Sequence, residues 1–189
     1  MAPPRSRRQP AAVRRDQILD AAEAVMLRDG LHQATIADIA ETAALGKGTV
    51  YLQFESKQDL VAGLRLRYIE RIEREVRAQI DEGGSTVEKL STFVRTFVDA
   101  STRDPELHHL LFQEAGVDEA TAFAPLRALF AAIVGDADLQ TADRELVIDF
   151  ALGGVHAGAI AVAHMPKNRR GRAITQIVDL VTRTLRPGG

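Results

Sequence analysis

A chain of 189 residues that is 46% hydrophobic, 26% charged and 5% aromatic can form one domain, or a small one joined to a medium one, and is too short for a large multidomain enzyme. Its 24 Lys and Arg against 26 Asp and Glu leave a net charge of -2, so any basic footprint must be local. The lack of cysteine excludes disulfides, thiolate nucleophiles, iron-sulfur clusters and Cys-based zinc sites together.

The first 15 residues hold Arg5, Arg7, Arg8, Arg14 and Arg15 and no acid, a charge of +5 that leaves -7 for the remainder. Pro3, Pro4 and Pro10 lie among those arginines, which predicts a flexible basic arm over residues 1–11. The arm lacks the apolar run of a secretory signal. The most apolar later stretch, residues 150–165, carries His156 and His164 and is shorter than the roughly 20 residues a bilayer span needs. The expectation is a soluble, cytoplasmic protein with no membrane partner.

Ile18, Leu19, Ala22, Val25 and Met26 recur with helical period from Arg14 onward, and Gly30 is a stop signal. Thr35 with Asp38 makes a capping box for a second helix to about Ala43, carrying Ile36, Ile39 and Ala40. Gly46 and Gly48 precede Val50, Tyr51 and Phe54, the buried face of a third helix of about two turns. Ser56 with Asp59 then caps a long fourth helix that ends before Gly83 and Gly84.

Further helices follow from Ser85 and Glu88, from Asp104-Pro105, and around Leu126 to Val134 with Pro125 in the first turn. The last two run from about Thr141 to His164 and from about Arg170 to Leu185. No stretch alternates with period two over strand length, so the chain is predicted to be all-α. In the penultimate helix Gly154, Ala157 and Gly158, followed by Ala159, Ala161 and Ala163, give a small-residue face, suited to a subunit interface or to tight internal packing.

Residues 35–57 thus form a helix, a tight turn, a short helix and the capped start of a long one, the geometry that places a second helix in the major groove of DNA. Lys47, Gly48 and Thr49 open the short helix, where backbone N-H groups favour a phosphate and Gly48 permits close approach. Thr49, Tyr51, Leu52 and Gln53 project as base or phosphate readers, since Gln can pair with adenine and Leu can meet a thymine methyl or simply pack. Ser56, Lys57 and Thr35 supply further phosphate contacts at helix N-termini. The arginine arm could enter a neighbouring minor groove.

At Thr35-Ile36-Ala37-Asp38-Ile39-Ala40-Glu41-Thr42-Ala43, Lys47-Gly48-Thr49-Val50-Tyr51, Phe54 and Ser56-Lys57 the chain resembles the TetR family of bacterial transcriptional regulators. The resemblance covers about residues 14–62. It implies a helix-turn-helix DNA-binding domain over residues 12–56 and a ligand-binding and dimerisation domain over 57–189. It also implies a homodimer formed through the last two helices, which leaves a palindromic operator when a small-molecule effector binds. Two positions depart from the family pattern. Ala44 stands where Gly usually follows the second helix, and Gly46 where Ser or Thr usually caps the third.

Phe93, Phe97, Phe112, Phe123, Phe130 and His156 lie on helices that a bundle brings together, as a filled core or as an effector cavity. The effector reading comes from the resemblance. Glu106 and His109 form a Glu-x-x-His pair with His108, Glu114 and His156 as possible neighbours, but Gly153 and Ala161 stand three residues before His156 and His164. The second pair of a di-metal site is therefore missing, and no metal or other cofactor is expected. No Ser/His/Asp set, phosphate-binding Gly loop or HExxH helix supports an enzyme. The alternative reading is a ligand- or metal-binding helical bundle whose N-terminal segment is purely structural.

Overall fold

The computed structural model describes residues 10–112, 119–135 and 144–185. The basic arm up to Gln9, the Glu114 considered as a metal neighbour and the Thr141 start of the penultimate helix lie outside the described residues. Among those described there are ten helices and no strand: α1 (Ala11–Asp29), α2 (Ile36–Thr42), α3 (Lys47–Tyr51), α4 (Lys57–Gln79), α5 (Thr86–Arg103), α6 (Pro105–Phe112), α7 (Glu119–Ala122), α8 (Ala124–Val134), α9 (Arg144–Ala163) and α10 (Lys167–Thr184). The four-residue α7 has no counterpart in the sequence reading.

The chain divides into two compact units, Met1–Arg65 with Leu110–Glu114, and Leu66–His109 with Ala115–Gly189. The first unit therefore extends past residue 56 into α4, because Leu60, Val61 and Leu64 of its first turns are buried. It also takes in Phe112, one of the six residues expected at an effector site.

In the first unit Ile18, Leu19, Ala22, Val25 and Met26 of α1, Ile39 and Ala40 of α2, Val50 and Phe54 form the core. This is the stripe that the helical period selects. Burial of such side chains is worth roughly 1.5–3 kcal/mol each and outweighs the weak intrinsic stability of helices as short as α2 and α3. Gly63 of α4 is required here: a Cβ at that position would stand 2.8 Å from the Phe54 ring and 3.2 Å from the Arg15 guanidinium.

The second unit is a bundle in which α5 packs on α8, α9 and α10, and α9 also packs on α8 and α10. Complete capping boxes close the N-termini of α2 at Thr35–Asp38 and of α5 at Ser85–Glu88. Asp104 caps α6 by accepting from Leu107 N at 3.1 Å. Of the small residues in α9, Ala151 and Ala159 are buried, and Gly158 lies against α10, where a Cβ would stand 2.7 Å from Ile177. Gly153, Gly154, Ala157 and Ala161 face outward.

Helix α9 is long and apolar enough by composition to cross a membrane. Its buried side, with Ile148, Leu152, Val155 and Ala159, belongs to the bundle core. Its outer side carries Leu146 and Phe150, 64% and 71% exposed.

Candidate nucleic-acid interface

Helix α2 ends in a tight reversal whose hydrogen bonds identify its type. Leu45 N donates to Ala40 O and Ala44 N to Glu41 O, both at 2.9 Å, the paired bonds of a Schellman motif. The motif requires a left-handed residue after the cap, and Ala44 occupies that place with φ 52°. The turn keeps its shape despite the Cβ, at a cost on the order of 1 kcal/mol relative to Gly.

Gly46 then caps α3 in extended conformation, without a side-chain hydrogen bond. Its carbonyl accepts from Thr49 N at 2.8 Å.

Val50 and Phe54 anchor α3 in the core, which fixes what the helix presents outward. Lys47, Gly48, Tyr51 and Leu52 are exposed, Leu52 to 78% and Tyr51 to 54%, while Thr49 and Gln53 are half-buried. No atom lies within 4 Å of a Cβ built on Gly48, so the backbone there is open to close approach. The helix itself is shorter than the expected two turns. Leu52 is its C-cap, and Gln53 follows in the closing turn, with Gln53 N bonded to Val50 O at 2.9 Å.

The other expected contacts have local duties as well. Thr35 is exposed, but its hydroxyl donates to Asp38 at 2.6 Å and accepts from Asp38 N. The hydroxyl and the backbone N–H of Thr35, both donating to the Asp38 carboxyl, hold it below the usual carboxylate range. Ser56 is half-buried, and its hydroxyl accepts from Asp59 N at 3.1 Å, capping α4. Lys57 is half-buried and donates to His32 O at 2.9 Å, which ties the start of α4 to the loop after α1. Lys47 is thus the expected cation with no intramolecular partner among the described residues.

Two residues that position this surface have no local sequence signal. Arg15, one of the five arginines of the first 15 residues, lies in α1, donates to Gln53 O at 3.0 Å and places its guanidinium 4.2 Å from the Phe54 ring centroid. Gln17 donates to Ala43 O at 2.7 Å, closing the end of α2. Both reach across more than 25 residues, a separation that helical period cannot reveal.

In the second unit Phe93, Phe97, Phe123, Phe130 and His156 come together. Phe93 meets Phe130 edge-on at 5.0 Å between centroids, and His156 stands 4.7 Å from Phe123 and 6.3 Å from Phe97. Tyr68 and His108, absent from the expected set, complete the cluster. The Tyr68 hydroxyl lies 3.1 Å from His108 Nδ1, and the two imidazole centroids are 5.2 Å apart.

Burial, with the neighbouring His156 and His109, pushes the His108 imidazole down to about 4. Burial likewise pushes the Tyr68 phenol up to about 12, against a smaller opposing effect of the Ser101 hydroxyl. Both groups are therefore neutral around pH 7. Among the described residues no three of His, Cys, Asp and Glu are grouped as a metal would need.

Residues 18–64 match the family of bacterial regulatory proteins described as the tetR family. The HTH-type transcriptional regulator AlkX of Mycobacterium tuberculosis is 33% identical over 101 residues, 53% of this chain and 48% of that protein. The chain spans about half the length of such curated relatives. A TetR-like transcriptional regulator from Rhodococcus sp. RHA1 superposes with a TM-score of 0.64 at 27% identity, over 94% of this chain and 98% of that one. FadR from Bacillus subtilis, solved in complex with stearoyl-CoA, has the same fold, with a TM-score of 0.63 at 20% identity over 90% and 96% of the two chains. With its α1 to α4 core and Schellman-turned helix pair, the segment 18–64 is a domain of the tetR family of bacterial regulatory proteins.

Proposed function

We propose that this chain is a homodimeric repressor that holds a palindromic operator in the cytoplasm and leaves it when a small molecule enters the second unit. The observation that carries the reading is the outward face of α3, where Lys47, Gly48, Tyr51 and Leu52 stand exposed on a helix pinned by Val50 and Phe54. Side chains held this way can read a groove because the core, not the partner, fixes their positions. Thr49 and Gln53 stand beside them, and Thr35, Ser56 and Lys57 flank them.

Dimerisation is supported by the outer face of α9. Leu146 and Phe150 lie on one side with Gly153, Gly154, Ala157 and Ala161, and Leu180 of α10 is 65% exposed. A large apolar surface rimmed by polar residues is the signature of a subunit contact. Pairing through α9 and α10 sets two copies of α3 for half-sites about 34–36 Å apart. Bacillus subtilis FadR holds stearoyl-CoA, which supports a small-molecule role for the fold without transferring that ligand's identity. Effector release is then a population shift: the ligand favours a dimer whose α3 spacing is out of groove register.

Electrophoretic retardation of the DNA upstream of the protein's own gene tests the reading. Lys47→Ala is expected to weaken binding to every retained sequence and to lower the salt slope by about one unit. A full-length dimer that retards no upstream fragment, or an unchanged slope in the variant, overturns the assignment.

A further inference from the structure

The first unit carries an open groove of about 720 Å³, with one wall from α1, Val13 to Ala24, and the other from Thr42, Ala43 and Ala44 at the end of α2. Helical period puts Val13, Asp16, Asp20 and Ala24 on one side of α1, and all four are exposed. Gln17 closes the floor through its bond to Ala43 O at 2.7 Å, beside the buried Ala21. Among the described residues that line it, the groove has two carboxylates and no cation. The cations of α1 lie off its walls. Arg14 does not line it, Arg15 is turned to Gln53 O and the Phe54 ring, and Arg28 pairs with its neighbour Asp29 at 2.6 Å.

An acidic groove with an apolar floor fits a cationic extended segment, and the chain carries one beside it. Residues 1–9 hold Arg5, Arg7 and Arg8 and no acid, and they join α1 at Pro10, whose φ of -53° and ψ of 148° are extended. The residue before a proline is itself biased to extended backbone. Along an extended chain Arg7 and Arg5 reach about 10 and 16 Å from Pro10, and both point to one side. Along the helix Asp16 and Asp20 stand about 9 and 15 Å from Pro10, also on one side. A chain that turns back at Pro10 and runs antiparallel to α1 therefore brings Arg7 opposite Asp16 and Arg5 opposite Asp20, with Pro3 and Pro4 against Ala24.

We infer that the groove between α1 and the end of α2 is the docking site of the chain's own basic arm, residues 1–9, with Arg7 on Asp16 and Arg5 on Asp20, and that DNA phosphates compete with the groove for these arginines. Exposed ion pairs are individually weak and screened by salt, so the docked arm exchanges rather than locks. The groove withholds the arm's charge from nucleic acid until a duplex supplies a denser row of anions. The exchange rests on the DNA-binding reading above, whereas docking does not.

The chain has no cysteine, so Ser6→Cys accepts a single nitroxide on the side of the arm that faces away from α1. In the full chain without DNA, the amide signals of Thr42, Ala43 and Ala44 are expected to lose about half or more of their intensity relative to the reduced label, and to recover it at about 0.5 M NaCl. Asp16→Asn/Asp20→Asn is expected to recover it at low salt. A random-sequence duplex of about 30 base pairs, added in excess at low salt, is expected to do the same to the wild-type groove. No broadening at these three amides, or broadening that neither salt nor the double variant relieves, overturns docking, and the salt series needs no variant to fold. Broadening that persists with duplex bound overturns the exchange. A duplex that is not retarded counts against the DNA-binding reading alone, since docking is read without DNA.

Discussion

Ala44 holds a backbone conformation that glycine adopts at no steric cost, with φ 52° in the turn that aims α3. Replacing it with Gly removes the Cβ clash but adds freedom to the unfolded chain, so Ala44→Gly is expected to stabilise the first unit by at most about 1 kcal/mol in urea unfolding. Gly63 poses the opposite case. Its neighbour is the buried Phe54 ring, which cannot retreat without opening the core beneath α3. Gly63→Ala is expected to cost about 1–3 kcal/mol by overpacking, partly offset by the better helix propensity of Ala, and to weaken DNA retardation. Unchanged stability in Gly63→Ala would mean that Phe54 has room to move.

At the scale of elements, several helix ends are closed by a cation from elsewhere in the chain. Arg144 at the start of α9 donates to Ala131 O at 3.1 Å and Gly135 O at 2.9 Å, at the end of α8. Arg170 of α10 does the same for α9, through Ala163 O at 2.9 Å and Met165 O at 3.0 Å. Arg15 plays a similar part just after α3, through Gln53 O. The last carbonyls of a helix have no partner within it and carry the negative end of the dipole, so a guanidinium fork both satisfies and neutralises them. Arg170→Ala is expected to destabilise the second unit by about 1–3 kcal/mol in urea unfolding, with Arg170→Lys recovering only part of the loss. Full recovery by Lys would show that charge alone matters there.

For the whole molecule, association and pH dependence are the measurable consequences. Phe150→Glu places a charge in the outer face of α9 and is expected to weaken the dimer by about 2 kcal/mol or more, seen as monomer in analytical ultracentrifugation. A dimer of unchanged strength would move the interface off α9.

The pH dependence follows from His108, whose folded value of about 4 lies below the ordinary 6.5. Between those values the unfolded chain binds the proton and the folded one does not. This part of the stability is complete above pH 6.5, falls as pH drops from 6.5 to 4, and amounts to on the order of 3 kcal/mol. Urea unfolding at pH 7, 5.5 and 4.5 should show this fall, and His108→Gln should flatten it. Tyr68 adds a loss at the alkaline end, because its folded value of about 12 exceeds the ordinary 10.0 and the unfolded chain ionises first.

Much of the first unit was legible in the order of residues, because helical period, capping boxes and glycine stops are local and each needs only a few neighbours in sequence. Thr35 with Asp38, Ser85 with Glu88, and the buried Val50 and Phe54 of α3 all follow from spacing, whereas Tyr51, spaced with those two, is exposed. The family motif at residues 35–57 adds the direction in which α3 faces. Long-range partners were out of reach of that reading. Gln17 on Ala43, Lys57 on His32, Arg15 beneath Phe54, and Tyr68 against His108 join residues at least 25 apart, and a side chain's partner over such distances is set by how helices pack. Packing likewise sent Phe112 to the first unit and split the small residues of α9, with Gly158 turned inward to α10 and Gly153 and Gly154 outward. A helix records its own period in its sequence, but which neighbour covers each face depends on the whole set of helices that close around it.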